Sequence, residues 1–257
     1  MDIVLIGSGN AATILGRKSR AAGHRIVQVY SRNGNHANQL ANQLGAVSTS
    51  YISTIERNTD LMIIALRDEA LVPFVKDLNH ANSTVVHTAG AIGMNVLKGI
   101  SESYGVLYPL QSLSRETEII PALTILTQGN DSKTGKIISD FAHTLAETVI
   151  EAGDHDRMKY HLAATIVNNF ANYLYIITES LCRKENLSFA VLQPLMEETV
   201  IRLRNTSPAS VQTGAAIRND LTTLEKHREL LKEYPAILNF YNLFTEEIQK
   251  LSSGLRL

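Results

Sequence analysis

Gly7-Ser8-Gly9-Asn10-Ala11-Ala12 sets two glycines and a small residue at the spacing G-x-G-x-x-A. In a turn that leaves a strand and opens a helix, this spacing suits a phosphate-bearing ligand. The first glycine permits the sharp turn. The second brings bare backbone against a pyrophosphate, and the third small residue lets helix and strand pack closely. The helix start then offers free N–H groups and partial positive charge to the phosphates. Gly7, Ser8, Gly9, Asn10 and Ala11 are therefore the expected cradle of a dinucleotide. Ser31 and Arg32 stand 22 positions after Gly9, at the end of the next apolar run. A carboxylate there would bond a ribose 2′-hydroxyl and repel a 2′-phosphate, whereas a hydroxyl followed by a guanidinium can hold that phosphate. The expected cofactor is NADP(H) rather than NAD(H), with Asn33 and His36 near enough to assist.

Three further runs end in groups with chemistry. DLMIIALRD brings Leu66, Arg67 and Asp68 to one strand end, STVVHTAG brings His87, Thr88, Ala89 and Gly90 to another, and YGVLYPLQ brings Tyr108 and Gln111 to a third. Leu66, Arg67, Thr88 and Ala89 are expected along the cofactor. Each of the others has a structural alternative: His87 as a core residue, Asp68 as a helix cap, Tyr108 as a strand aromatic.

Later in the chain, HLAATIVNNFANYLY places His161, Thr165, Asn168, Asn169 and Asn172 three and four residues apart on one helical face. Such a face either lines a cleft or forms a polar seam between helices. In the first case Asn169 polarises a substrate oxygen. His161 is then the proton donor, because an imidazole ordinarily titrates near neutrality. TGAAIRND adds Arg218, suited to clamp a carboxylate or phosphate, and Asp220, suited to cap the helix that follows. His227 falls on the same side of that helix.

Elements must hold these groups in place. Seven short apolar runs (DIVLIG, RIVQVY, DLMIIAL, STVVHT, YGVLYP, ALTILT and ETVIEA) alternate with helical stretches up to about residue 151. That is the pattern of a mainly parallel, doubly wound α/β sheet. Beyond Gly153 the periodicity is helical throughout. One segment of about 28 residues, RMKYHLAATIVNNFANYLYIITESLCRK, is followed by SFAVLQPLMEETVIRLRN with Ser188 as cap. The loop SPASVQTGAA leads to two last helices, and Pro235 fits the first turn of the final one. The expected domains are 1–153, binding NADP, and 154–257, a helical domain for substrate and dimerisation.

The chain has 257 residues, 44% of them hydrophobic, and a net charge of −1. That charge provides no broad basic surface for nucleic acid. Its one cysteine, Cys182, excludes an internal disulfide and a cysteine-rich metal site. No apolar stretch reaches the length of a membrane span, and the N-terminus lacks the layout of a signal peptide. A cytoplasmic protein acting on a small molecule is expected. The long helix carries Leu162, Ile166, Phe170, Leu174, Ile177 and Leu181, with Val167, Tyr173 and Tyr175 beyond, on more than one side. A helical domain of this size can hardly bury them alone, so a homodimer through that domain is expected.

GSGNAA, the Ser-Arg strand end, HTAGAIG, YPLQSLS and TGAAIRND together resemble a bacterial family of NADP oxidoreductases, in which a Rossmann-like domain precedes a helical domain of unknown function. More distantly the chain is similar to pyrroline-5-carboxylate reductase, to deazaflavin-dependent NADP reductases and to the β-hydroxyacid dehydrogenases. The resemblance implies two domains, NADP and commonly a dimer sharing the helical domain; it supplies no substrate. Tyr108 and Ala215 depart from the His and Pro that the close family often has. Thr165 stands where a β-hydroxyacid dehydrogenase has its catalytic lysine, which speaks against simple hydroxyacid chemistry. Two functions follow: hydride exchange between NADP(H) and a small carbonyl, imine or alcohol, or a non-catalytic NADP(H) sensor.

Overall fold

A computed structural model describes residues 1–117 and 119–252. Eight strands form one sheet: β1 (Asp2–Ile6), β2 (Arg25–Tyr30), β3 (Val47–Thr49), β4 (Leu61–Ile64), β5 (Thr84–His87), β6 (Tyr104–Pro109), β7 (Thr124–Gly129) and β8 (Thr148–Glu151). Their order is β3-β2-β1-β4-β5-β6-β7-β8. All pairings are parallel except β6 with β7. The order reverses between β1 and β4, and this is the switch point at which open α/β sheets bind ligands.

Four helices wind around the sheet: α1 (Asn10–Ala21), α2 (Gly34–Leu44), α3 (Asp68–Asp77) and α4 (Ser132–Leu145). One buried cluster joins Ile14, Leu15, Leu40, Leu44 and Phe141 to Ile3, Leu5 and Ile63. On the opposite face Leu71, Phe74 and Val75 pack on Val4, Met62 and Val85. With both faces covered, the central strands are apolar throughout, and every residue of β4 is buried.

Then come α5 (Asp154–Ala164), a stretch of π-helix (Thr165–Phe170), α6 (Ala171–Lys184), α7 (Gln193–Arg202), the single turn α8 (Pro208–Val211), α9 (Leu221–Leu230) and α10 (Pro235–Ser252). The expected 28-residue helix is thus interrupted by wider π geometry, which is frequent at functional sites. Ser188 precedes a short 3₁₀ turn, Phe189–Leu192, and makes no side-chain capping bond. The expected loop SPASVQTGAA contains α8. Asp220 caps α9, accepting from the Thr223 N–H at 3.1 Å. Asp68 does not cap α3; it is the helix's first residue, after Arg67 in the capping position.

The chain divides into two compact units, Met1–Phe170 and Ala171–Leu257. The first holds the sheet, α1–α5 and the π stretch. The second is helical and surrounds an apolar hollow of about 380 Å³ lined by Leu174, Ile177, Ile237, Phe240 and Phe244.

Candidate functional site

The turn from β1 into α1 lies at the sheet's switch point. Gly7 has φ +115°, and a Cβ there would come within 2.3 Å of the Ala65 carbonyl oxygen just beyond β4. Glycine is required at this position by the fold itself. Gly9 is a different case. Its backbone is extended, φ −84° and ψ −170°, a conformation open to any residue. A Cβ built on it meets no atom within 4 Å. Nothing inside the chain demands glycine at 9, so the open space in front of it fits an external group. The first turn of α1 carries no acidic side chain, and its N–H groups suit a pyrophosphate. Ser8 donates from its hydroxyl to Ser31 Oγ at 2.9 Å, joining the glycine turn to the end of β2.

Arg32 is exposed and makes no hydrogen bond or ion pair among the described residues. Asn33 caps α2 by accepting from the Asn35 and His36 N–H groups. Leu66 lies beside Gly7, its Cδ2 3.5 Å from the position of a Cβ there. Arg67 is exposed, and its guanidinium lies 3.9 Å from the exposed Glu69 carboxylate. Thr88 and Ala89 are buried at the end of β5. Together the glycine turn, Ser31, Leu66, Thr88 and Ala89 follow the carboxyl ends of β1, β2, β4 and β5.

Strand register places the next group. His87, the last residue of β5, pairs with Val106. Leu107, Tyr108 and Pro109 run on past it, paired only with Thr127, Leu126 and Ile125 of β7. Tyr108 therefore projects beyond the shorter neighbouring strand. Its phenol oxygen lies 2.8 Å from His161 Nδ1 on α5, the two rings meeting edge to face at 5.9 Å. Burial raises the Tyr108 pKa above the ordinary phenol value, and the negative charge of Asp68 adds to the rise. Gly90 touches the pair: a Cβ on it would stand 2.7 Å from His161 Nδ1 and 3.1 Å from Tyr108 Cζ.

Tyr108 and His161 line a cavity of about 590 Å³ with Gln111, Thr165, Asn168 and Asn169. All of these residues belong to the first compact unit. The Thr165 hydroxyl donates to the His161 carbonyl at 3.0 Å. The Asn168 and Asn169 amides make no hydrogen bond among the described residues, which leaves them open to a ligand. Arg218 lies in the second unit, exposed on the turn before α9. His227 is bonded to the Tyr241 hydroxyl at 2.8 Å.

His87 is fully buried. Its Nδ1 accepts from the Ala89 N–H at 3.1 Å, which helps shape the loop that carries Gly90. Burial and the nearby Arg157 guanidinium push its pKa down to about 4, against a smaller upward pull from Asp154 and the Gly93 carbonyl. It is neutral at physiological pH and is a core residue.

The sequence reading did not single out Arg157 and Asp154. Arg157 is 1% exposed. It donates to Gln128 Oε1 at 2.7 Å, to the Ile92 carbonyl at 2.5 Å and to Asp154 at 2.9 Å. Asp154 accepts from the Met94 N–H at 3.1 Å. These bonds fasten the start of α5, one turn before His161, to the loop after β5. Asp-x-x-Arg at a helix start was the available signal, but it reads equally as an exposed pair.

Residues 2–90 match the family described as NADP oxidoreductase, coenzyme F420-dependent. Residues 123–248 match the domain of unknown function DUF2520. Among solved structures, a protein of Bacteroides fragilis described as a "putative NADP oxidoreductase" is 35% identical, with a TM-score of 0.87 over 97% of this chain and 98% of that one. A reductive aminase of Aspergillus terreus, solved with NADPH and ethyl-5-oxohexanoate, is 17% identical, with a TM-score of 0.69 over 99% of each chain. The pyrroline-5-carboxylate reductase of Streptococcus pyogenes is 15% identical, with a TM-score of 0.62 over 97% and 98%. No curated protein matches the sequence.

Proposed function

The chain belongs to the family of NADP oxidoreductases in which a dinucleotide-binding region is joined to a DUF2520 domain, and from that premise we propose that it exchanges hydride between NADP(H) and a small carbonyl, imine or alcohol. The observation that carries this reading is the Tyr108–His161 pair at the wall of a cavity of about 590 Å³. Bound NADPH supplies hydride to the electrophilic carbon; the protein's part is to hold both partners and deliver the proton.

Gly7, Ser8, Gly9, Asn10 and Ala11 hold the pyrophosphate, Ser31 and Arg32 the 2′-phosphate, and Leu66, Arg67, Thr88 and Ala89 the remainder of the cofactor. Asn169 holds the substrate heteroatom through its amide. With a proton on Nδ1, His161 donates to the Tyr108 oxygen and leaves the phenolic hydrogen free for the substrate. His161 is thus the proton source acting through Tyr108: the phenol gives its proton to the substrate, the imidazolium replaces it from Nδ1, and His161 is left as neutral imidazole. Thr165 provides no ammonium charge for a developing alkoxide, and this favours an imine over a hydroxyacid. Arg218 is assigned to a substrate carboxylate or phosphate. The division of labour follows the sequence-based domains, 1–153 for cofactor and 154–257 for substrate and dimerisation. A metabolite screen that follows NADPH fluorescence tests the whole reading. Absence of turnover with every carbonyl and imine offered, despite tight NADPH binding, would favour a sensor.

Arg32→Ala is expected to weaken NADPH binding by about ten- to a hundredfold, the usual value of a charge-assisted contact. NADH binding should stay level. Calorimetry with both cofactors checks it, and equal losses would make Arg32 a structural residue.

The homodimer belongs to the same reading. Leu162, Ile166, Val167, Phe170, Tyr173 and Ile176 are all exposed on the chain alone. A second copy of this chain is the proposed cover, since so many large apolar side chains left exposed along one segment are rare on a monomer. Light scattering should give about twice the 28.3 kDa of one chain; a monomer at high concentration would refute it. No helix of the described residues is long and apolar enough to cross a membrane. A cytoplasmic location is part of the proposal, supported by the single buried thiol of Cys182.

A further inference from the structure

The segment between β6 and β7 returns across the sheet to the glycine turn. Leu113 and Ile120 pack against the buried cluster beneath α1 and α2. The Arg115 N–H donates to Asn10 Oδ1 at 3.3 Å. Arg17 on α1 donates to the Arg115 carbonyl at 3.1 Å and the Thr117 carbonyl at 3.4 Å. The backbone at 115 is therefore tied to the first residue of α1 and to the helix behind it.

Its side chain is not tied. The Arg115 guanidinium makes no hydrogen bond or ion pair among the described residues. It lines a cavity of about 280 Å³ together with Ser8, Arg17, His36 and Gln43, and among the described residues no carboxylate lines that cavity. The cavity lies on the β2–α2 side of the glycine turn, the side where Ser8 meets Ser31 and where Arg32 precedes the capped start of α2. Arg17 is committed to carbonyls and to Gln43 Oε1, at 3.4 Å. Arg115 is thus a fully charged group with open donors facing polar space beside the end of β2. Arginine forks match phosphate oxygens two at a time.

We propose that Arg115 is a specificity residue for the cofactor, supplying from the β6–β7 segment a second cation, besides Arg32, to the phosphate on the adenosine ribose. The inference rests on the NADP(H) reading above and extends it. Ser31 and Arg32 hold that phosphate from the end of β2, and Arg115 reaches it from the cavity it lines with Ser8 and His36. Discrimination against NADH then draws on two distant parts of the sequence, residues 31–36 and residue 115.

Calorimetry on the full chain tests this without any substrate. The probes are NADPH, NADH, adenosine 2′,5′-bisphosphate and 5′-ADP. Arg115→Ala should fold normally, because only the backbone of residue 115 is engaged. It is expected to bind NADPH and the 2′,5′-bisphosphate about tenfold more weakly, a single charge-assisted contact being lost. NADH and 5′-ADP should bind as before, and Arg115→Lys should recover part of the loss. Unchanged binding of the 2′,5′-bisphosphate would overturn the proposal. So would an equal loss for 5′-ADP, which would place Arg115 at the pyrophosphate. If the unaltered chain bound NADH and NADPH alike, or neither, the NADP(H) reading itself would fall.

Discussion

Gly9→Asp is expected to abolish measurable NADPH binding in a chain that still folds. The two halves of this expectation have separate causes. The backbone at Gly9 is extended, and its missing Cβ faces open space, so aspartate fits without moving a neighbour. Aspartate is also a favourable residue at a helix N-cap, the position Gly9 holds before α1. The fold should lose nothing. The cofactor loses its seat, because a carboxylate then stands where the pyrophosphate must approach. At about 4 Å and an effective dielectric constant of about 20, two like charges repel by about 4 kcal/mol, on the order of a thousandfold in Kd. Steric exclusion adds to this. Fluorescence titration with NADPH, run beside a thermal melt, separates the halves: the melting temperature should hold while the titration goes flat. Retained affinity would remove the glycine turn from the cofactor site. Gly7 permits no such separation, because any side chain there strikes the Ala65 carbonyl and the fold suffers first.

The second large effect is chemical. Tyr108→Phe keeps the ring that packs at the strand end and removes only the hydroxyl bonded to His161. Once a substrate is in hand, kcat should fall by about a hundred- to a thousandfold, the usual worth of a positioned general acid. NADPH affinity should not change. His161→Ala should cost about as much, and the double variant little more than either, since groups acting as one unit are not additive. The pH profile gives an independent readout. A raised Tyr108 pKa means the phenol keeps its proton to higher pH, so the profile of the unaltered chain should carry an alkaline limb that belongs to Tyr108. Tyr108→Phe should lack that limb. Two independent, multiplicative losses would separate Tyr108 and His161 into unrelated roles.

What the sequence disclosed depended on whether a signal was local. The strands β1, β2, β4, β5, β6, β7 and β8 all coincide with short, largely apolar runs, most clearly at β1, β4 and β5, where a strand covered on both faces has no other pattern. β3 was invisible: it has three residues, sits at the sheet edge and exposes Val47. The glycine turn is encoded within six residues and was legible in full. The π stretch was not, since TIVNNF has no composition that separates five-residue from four-residue backbone bonding. The partnership of Tyr108 with His161 spans 53 positions. It depends on β6 overrunning β5, a matter of register that no local motif records. Arg157 was missed for the opposite reason: arginine is rarely buried, and its bonds to Gln128, Ile92 and Asp154 make burial tolerable here.

Gly90 gives the site a historical constraint. It performs no chemistry, yet its α-carbon lies so close to the imidazole that even a methyl group would displace His161 or Tyr108. Any side chain at position 90 would force the Tyr108 or His161 ring to shift out of their 2.8 Å contact. Drift there would erase the pair without touching either member. The proposed Tyr108–His161 unit therefore rests on three separated positions, and the third, Gly90, contributes only the space the other two occupy.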